Sequence, residues 1–314
     1  MNSEENWTAR AEACNRTNID NIQTFVYIPV FIIGVILNAL ALRVFCYKLS
    51  KWTETQVYMA NLAFADCFIL FSLPIKMIMK TTEVDTWCLV LESAYFINRY
   101  MSVFLITITA VDRYITIWYP FKAKQVRSPQ KSAVVCGILW ILMISIVWLN
   151  KRWEKRDNPG CCFKKITRVP SISVLASTIW GFFIPLTILS FCSIQITKKL
   201  TKKKKSNPHE EKLMQKSINI ISANMAVFVI CFLPINIANI IRFIADYSGA
   251  ISIPVENINS IVDVAGIIAN TNCCLDAVCY YFVNKEFQEA AKELTPKYFS
   301  IYNQHSEKQD SEII

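Results

Sequence analysis

The chain has 314 residues, of which 54% are hydrophobic, and its mean hydropathy is +0.33. This composition is too apolar for an ordinary soluble domain of that length. The formal net charge of +9 does not indicate nucleic-acid binding, because the basic residues lie between long apolar blocks, as loops do along a membrane surface.

The first 21 residues form a polar tail with two acceptor sequons for N-glycosylation. The sequons begin at Asn6 and Asn15, and two of them in one short tail favour a glycosylated position outside the cell. The motif is short, so its chance occurrence in a cytosolic tail is the alternative.

Seven apolar segments follow the tail, and each is long enough to cross a membrane as a helix. They cover approximately residues 22–47, 55–80, 88–119, 132–151, 172–198, 214–246 and 255–282. Basic connections follow the first, third and fifth segments, so the positive-inside rule places the N-terminus outside and the C-terminal tail inside. The sequence therefore predicts an all-α fold, a bundle of seven transmembrane helices.

The third segment holds an arginine far from either membrane face. Arg99 comes 11 residues after Cys88, which is roughly 16 Å along a helix. Facing lipid at this depth is costly, so Arg99 must face the interior of the bundle. A guanidinium group at this position is suited to bidentate binding of a carboxylate or phosphate. The alternative is that Arg99 pairs with an acidic side chain of the protein itself. Only Asp66 and Asp276, in the second and seventh segments, are expected at a similar depth.

The exterior connection at 151–168 departs from the charge pattern, since it carries seven basic and two acidic residues, a net charge of +5. Positive charge at the mouth of the bundle raises the local concentration of an anion. The alternative is a solvated loop that balances the acidic N-terminal tail and the lipid headgroups.

The chain after the seventh segment is predicted to stay on the inner membrane surface. Asn284 precedes apolar residues spaced for a short amphipathic helix in the membrane interface. The bundle with this helix forms a predicted domain at 22–294, between the N-terminal tail at 1–21 and a polar cytoplasmic tail at 295–314.

Polar motifs occur at six places in the apolar segments. They are Asn38; Asn61 to Asp66 (NLAFAD); Asp112-Arg113-Tyr114; Trp140; Cys231 to Pro234 (CFLP); and Asn272 to Tyr280 (NCCLDAVCY). This set, in this order over residues 22–294, resembles the signature of the rhodopsin-like (class A) G-protein-coupled receptors. The stretches 98–102 and 127–129 resemble a small branch of that family, which includes the orphan receptor numbered thirty-five (the kynurenic acid receptor) and the lysophosphatidylinositol receptor. Ligands in this branch are anionic.

The resemblance implies a plasma-membrane receptor for an anionic small molecule or lysophospholipid. Its implied partners are a heterotrimeric G protein, arrestin and membrane lipid, with no nucleic acid. The implied ligand-binding residues are Arg99, Arg242, Lys76, Tyr95 and Arg168. The residues implied in activation and G-protein coupling are Asp112, Arg113, Tyr114, Phe232, Pro234 and Tyr280. For Arg242 the alternative is an internal pair with Asp263.

No cofactor is expected, but the resemblance implies an allosteric sodium ion in the bundle centre. Its implied oxygen ligands come from Asp66, Ser102, Asn272 and Asp276. An isolated carboxylate at this depth costs roughly 2.5–3.5 kcal/mol and needs a partner. In the alternative, Asp66 and Asp276 share a proton or a water molecule and bind no ion.

The resemblance also implies one exterior disulfide, from Cys88 to either Cys161 or Cys162. Counting the cysteines of the polar segments then leaves Cys14 to pair with the other of those two. The cysteines of the apolar segments are typical small buried residues.

Four positions depart from the usual family pattern. Phe232 stands where Trp is usual, Ala277 where Pro is usual, Ser193 where Tyr is usual, and Met214 where some relatives place an acid that pairs with Arg113. Asp112 is then the only acid expected to hold Arg113.

Other functional classes are weaker. The two histidines, His209 and His305, lie in cytosolic segments, so an intramembrane nucleophile pair or zinc site is not expected, and the protein is not predicted to be an enzyme. Residues 255–282 contain no lysine that could carry a retinal. A transporter or channel for an organic anion is the remaining alternative, although no internal repeat supports it.

Overall fold

The computed structural model describes residues 18–48, 52–79, 86–157, 162–163, 168–202, 208–249 and 254–283. Seven helices in these ranges are long and apolar enough to cross a membrane. In chain order they are Asn18–Arg43, Glu54–Met79, Thr86–Trp118, Pro129–Asp157, Ile172–Thr178 with Ile184–Lys202, Pro208–Tyr247, and Val255–Asn270 with Asn272–Val283. We call them the first to seventh spans, and they confirm the predicted all-α, seven-span fold.

Two spans contain a π-helical turn, and one contains a break. Val44–Lys48 continues the first span, and Ile179–Phe183 joins the two parts of the fifth. The seventh span breaks at Thr271, whose carbonyl accepts the backbone N–H groups of Cys274 and Leu275. A short helix, Pro120–Val126, lies between the third and fourth spans.

The predicted segments agree with the spans within a few residues, except at the start of the sixth, which begins at Pro208 instead of near residue 214, and at the end of the fourth. The prediction ends that segment near residue 151, whereas the helix continues to Asp157. Lysine, arginine and glutamate are good helix formers, and they extend the helix beyond its apolar part until shortly before Pro159. The expected sites at Asn6, Cys14, Asn15 and Cys161, the helix after Asn284 and the tail 295–314 lie outside the described residues.

Side-chain caps fix where the second and fourth spans begin. The Thr53 N–H donates to Gln56 Oε1 at 2.8 Å, and the Gln56 N–H donates to Thr53 Oγ1 at 3.4 Å, which is a capping box. The Lys131 N–H donates to Ser128 Oγ at 3.2 Å, and Pro129 occupies the first helical position, where no backbone donor is needed.

The third span lies at the centre of the bundle, in contact with the second, fourth and fifth spans. Its Met101 and Leu105 are fully buried in an apolar cluster that also contains Phe45 and Phe182 from other spans. Large apolar side chains on the outer surface, such as Ile141, remain exposed. This distribution suits a bundle whose outer surface faces lipid.

Two polar links join spans that are distant in sequence. The Asn38 Nδ2 donates to the carbonyl oxygens of Gly34 at 3.0 Å and Cys273 at 2.9 Å, which joins the first span to the seventh. The Trp140 Nε1 donates to Asn61 Oδ1 at 3.1 Å, which joins the fourth span to the second. The motifs that the sequence places in separate segments therefore meet as pairs.

The π-helical turn of the fifth span contains a glycine that a larger residue would not fit. A Cβ atom at Gly181 would lie 2.6 Å from Cε1 and 2.9 Å from Cδ1 of Tyr100. Because the Tyr100 ring packs directly on the Gly181 backbone, the third and fifth spans approach closely at this point.

We therefore expect Gly181→Ala to destabilise the bundle by about 1–3 kcal/mol, because the added methyl group must displace the ring of Tyr100. Gly137→Ala is the matched control, since a Cβ atom there meets nothing within 4 Å. Thermal unfolding of the two variants in detergent tests this expectation. Equal melting temperatures would contradict it.

Candidate functional site

One face of the third span carries a row of polar side chains near its N-terminal end. Cys88, Glu92, Tyr95 and Arg99 follow one another at steps of four, three and four residues. These steps place side chains on the same face of a helix. Cys88, Glu92 and Tyr95 are buried, and Arg99 is half-buried, so this face is turned into the bundle.

The loop between the fourth and fifth spans is tied to the N-terminal end of this face. Cys88 forms a disulfide with Cys162, which decides between the two partners that the sequence left open. The next residue, Phe163, has a positive φ of 61°, and its N–H donates to Glu92 Oε1 at 2.7 Å. The disulfide and this hydrogen bond hold the ring of Phe163 against Tyr95, with 6.1 Å between ring centroids.

Lys76 of the second span lies among three aromatic rings. Its Nζ is 4.5 Å from the ring centroid of Tyr95, 5.2 Å from that of Phe163 and 5.8 Å from that of Tyr27. Lys76 is only 6% exposed. Cation–π attraction of this kind stabilises a buried ammonium group and keeps positive charge inside the outer half of the bundle.

Arg99 lies on the inner side of the same tyrosine. Its Nη2 donates to the Tyr95 hydroxyl at 2.9 Å, and its guanidinium carbon lies 5.1 Å from the Tyr95 ring and 5.8 Å from the Phe96 ring. Among the described residues, no acid forms a salt bridge with Arg99. Within these residues its guanidinium contacts a neutral hydroxyl and ring faces, which leave its positive charge unbalanced, so an additional anion can still pair with it.

The other two arginines predicted to bind the ligand are Arg242 and Arg168. The Nη1 of Arg242 donates to Asn259 Oδ1 at 2.7 Å, and its Nε lies 3.8 Å from Asp246 Oδ2. The structure thus gives Arg242 internal partners, as the alternative expected, although the partners found are Asp246 and Asn259. Arg168 is half-buried in the exterior loop.

A second cluster of polar residues, which the sequence analysis did not identify, lies beside the three aromatic rings that surround Lys76. The Tyr27 hydroxyl accepts from Gln23 Nε2 at 2.7 Å and from Asn270 Nδ2 at 2.6 Å, and Tyr27 is fully buried. Gln23 and Asn270 are uncharged amides in apolar segments, which is the sequence signal that could have marked them. They join the first span to the seventh near the ring of Tyr95.

The predicted sodium ligands are buried in the bundle centre. Asp66 Oδ1 accepts from Asn98 Nδ2 at 3.1 Å, and Asp276 Oδ2 accepts from Asn272 Nδ2 at 3.2 Å. Ser102, one helical turn after Asn98, is fully buried as well.

Several oxygens at this centre have no hydrogen-bond partner among the described residues. The buried atoms without one include Asp66 Oδ2, Ser102 Oγ, Asn98 Oδ1 and Asn38 Oδ1. Unpaired buried acceptors are costly, since each has lost its hydration without compensation. Carboxylate, hydroxyl and amide oxygens are the ligands that hard cations prefer, so this donor set fits a sodium ion.

At the inner end of the third span, the acid of the Asp112-Arg113-Tyr114 motif has a partner that the sequence did not predict. Arg127 Nε donates to Asp112 Oδ1 and Arg127 Nη2 donates to Asp112 Oδ2, both at 2.6 Å. Arg127 Nη2 also lies 3.3 Å from Glu54 Oε2. Burial lowers the pKa of Arg127, but the hydrogen bond and charge of Asp112, followed by the charge of Glu54, outweigh burial and raise it overall.

The expectation that Asp112 holds Arg113 therefore differs from the structure. Both carboxylate oxygens of Asp112 are bound by Arg127, and no salt bridge to Arg113 is found in the described part of the chain. The side chain of Met214 lies outside the described residues. Consecutive helical residues point in different directions, which explains why an arginine from the next loop reaches Asp112 more directly.

Aromatic rings contact Tyr114 and Phe232, two of the residues that the sequence analysis expects to act in activation. Tyr114 contacts Trp118 and Phe191, with ring centroids 6.0 and 5.8 Å apart. Phe232, which replaces the usual Trp, packs edge-on against Phe228 at 5.6 Å, just before Pro234 in the sixth span. Tyr280 lies in the last helix of the seventh span, and its side chain is outside the described part.

Comparison with known proteins agrees with this architecture. Residues 37–280 match the family described as 7 transmembrane receptor (rhodopsin family). The chain is similar to G-protein coupled receptor 35 of Mus musculus, with 35% identity over 96% of this chain and 97% of that protein. It is also similar to G-protein coupled receptor 55 of Mus musculus, with 32% identity over 93% and 95% of the two chains. Lysophosphatidic acid receptor 4 of Homo sapiens is 29% identical over 86% of this chain and 76% of its own length.

Proposed function

The chain belongs to the rhodopsin family of seven-transmembrane, G-protein-coupled receptors, and from this premise we propose that an anionic ligand activates it at the plasma membrane. In this proposal the N-terminal tail is extracellular and glycosylated at Asn6 and Asn15, and the tail 295–314 is cytoplasmic. A heterotrimeric G protein binds the inner face, and arrestin and membrane lipid are further partners. The transporter alternative is not retained, since nothing in the described spans favours it.

The observation that carries the ligand proposal is the unbalanced charge of Arg99. Its guanidinium contacts only a hydroxyl and ring faces among the described residues, so a carboxylate or phosphate of the ligand supplies the missing negative charge. Lys76 and Tyr95 line the same place and add a second cation and a hydrogen-bonding hydroxyl. The name of one relative, lysophosphatidic acid receptor 4, denotes a phosphate-bearing lipid, which agrees with this chemistry.

Residues nearer the surface have weaker roles in this proposal. Arg168 and the other basic residues of the 151–168 segment attract the anion before it enters the bundle. Arg242 contributes less to the bound state, because Asn259 and Asp246 already engage it.

Activation is proposed to be a shift between two populations of the bundle. A ligand that binds the active arrangement more tightly increases its population in proportion to that difference in affinity. The sixth span moves outward at Pro234, where the proline removes a backbone hydrogen bond and Phe232 packs above the hinge. The opened inner face then accepts a G-protein segment beside Arg113 and Tyr114, and Tyr280 packs into the rearranged contacts.

A sodium ion is proposed to stabilise the inactive arrangement. Asp66, Ser102, Asn272 and Asp276 would hold it, and the unpaired oxygens of Asp66 and Ser102 support this assignment. The ion would supply the positive charge that two buried carboxylates require. In the alternative, a proton shared by Asp66 and Asp276 replaces the ion.

We expect Arg99→Ala to weaken agonist binding by about 2–5 kcal/mol, because the mutation leaves the acid of the ligand buried without its partner. Arg99→Lys should weaken binding less, because an ammonium group keeps the charge but not the planar two-pronged geometry. Radioligand competition on membranes, with a panel of aromatic acids and lysophospholipids, measures these losses.

The matched control is the ligand itself, with its acid converted to a neutral amide. If the acid pairs with Arg99, the amide binds the parent receptor weakly, and Arg99→Ala causes little further loss with the amide. An agonist that keeps full potency on Arg99→Ala would rule out this ligand proposal.

We expect Asp66→Asn to abolish the effect of sodium on agonist affinity, because the neutral amide removes the strongest ligand of the ion. In the parent receptor, replacing choline chloride with sodium chloride should lower agonist affinity about fivefold or more. Ser193→Ala is the control, since Ser193 Oγ is another buried unpaired oxygen, in the fifth span, outside the proposed sodium site. Equal sodium sensitivity in parent and Asp66→Asn receptors would favour the shared proton.

We expect Met214→Glu to lower ligand-free signalling by about twofold or more, because a carboxylate at this position offers Arg113 an ionic partner in the inactive state. Met214→Gln has nearly the same shape without the charge and should behave like the parent. G-protein activation at matched surface expression is the measurement, and an equal fall in both variants would show that charge is not the cause.

A further inference from the structure

We propose that Arg127 is a positioning residue for the G-protein-binding arginine: it holds Asp112 away from Arg113 and thereby keeps Arg113 available to the G protein. The inference rests on the proposed signalling function. It assigns a role to Arg127, which lies in the connection between the third and fourth spans, outside the Asp112-Arg113-Tyr114 motif.

The geometry of the Arg127–Asp112 pair carries the inference. Two parallel donor–acceptor contacts of 2.6 Å leave neither carboxylate oxygen without a charged donor. The Asp112 side chain is 9% exposed and the Arg127 side chain 20%, so water competes little for either group. A bidentate, partly buried pair of this kind is stronger than a single exposed ion pair.

The position of Arg127 is fixed in advance by the backbone. Arg127 directly follows the short helix Pro120–Val126, and its N–H donates to the Ala123 carbonyl at 2.9 Å. Glu54, at the start of the second span, contacts the same guanidinium group. Arg127 therefore links the short helix, the second span and the third span. Its guanidinium group already faces Asp112, so no rearrangement of the loop is needed.

Arg113, unlike Arg127, forms no salt bridge within the described residues. Its neighbour Asp112 is already bound by Arg127. If Arg127 were absent, the Asp112 carboxylate would be buried without a partner, and Arg113 would be the nearest cation on its own helix. Pairing with Asp112 would then withdraw Arg113 from the inner face.

The test measures ligand-free activation of G proteins in cells that express the full chain at matched surface levels. Arg127→Gln should lower this activity by about twofold or more, since Asp112 becomes free to pair with Arg113. Adding Asp112→Asn to Arg127→Gln should restore the parental level, because a neutral amide no longer holds Arg113. Arg127→Lys should give an intermediate level of activity, because an ammonium group keeps the positive charge but cannot make the bidentate contact with Asp112.

Lys131→Gln is the matched control, since Lys131 is a cation of the same connection whose Nζ donates to the Val126 carbonyl at 2.9 Å and forms no salt bridge within the described residues. It should leave ligand-free activity unchanged. A purely structural role of Arg127 in ordering the loop predicts that the double variant stays as low as Arg127→Gln, and this result would overturn the proposal.

Two other outcomes would also overturn it. Higher ligand-free activity in Arg127→Gln would mean that the pair restrains the receptor, and a parent receptor without ligand-free activity would mean that Arg113 is already restrained. Agonist-evoked signalling of the parent tests the proposed function separately. A receptor that responds to agonist but shows either result refutes the role of Arg127 alone.

Discussion

Hydrocarbon offers no hydrogen bonds, so each polar group within the seven spans must find its partner in the protein or in a bound ligand. This constraint turns the polar face of the third span inward. It also explains the pairs that cross the bundle, such as Asn38 with the Cys273 carbonyl and Asp66 with Asn98. Pairing within the described residues is incomplete at Asp66 Oδ2 and Arg99, and these are the positions where we propose that a cation and an anionic ligand bind.

The third span organises these incomplete sites along one axis. Its outer end holds the exterior loop through Cys88, its middle presents Arg99 and Ser102, and its inner end presents Asp112 and Arg113. A displacement of this helix would therefore affect the proposed ligand site, the polar centre and the inner face together. Close packing transmits such movements, since the ring of Tyr100 on Gly181 leaves no space to absorb them.

The sequence predicted much of this arrangement, because hydropathy, loop charge and the cost of buried ions depend on local composition. It therefore placed the spans within a few residues and turned Arg99 and Asp66 into the bundle. It did not predict that Asp112 pairs with Arg127, or that Gln23 and Asn270 meet at Tyr27. Which of several possible partners a side chain reaches depends on helix rotation and loop path, and these are set by the whole bundle.

The link between Cys88 and Cys162 is a covalent attachment that a reductant able to reach it would break, next to the proposed ligand site. Phe163, the residue after this link, supplies one of the three rings around Lys76. After reduction, only the hydrogen bond from the Phe163 N–H to Glu92 and the contact of its ring with Tyr95 would hold this part of the loop, while the rings of Tyr95 and Tyr27 would remain on their helices. Binding measurements in reducing buffers would therefore describe a receptor whose loop is held less firmly over Lys76, even when its seven spans are intact.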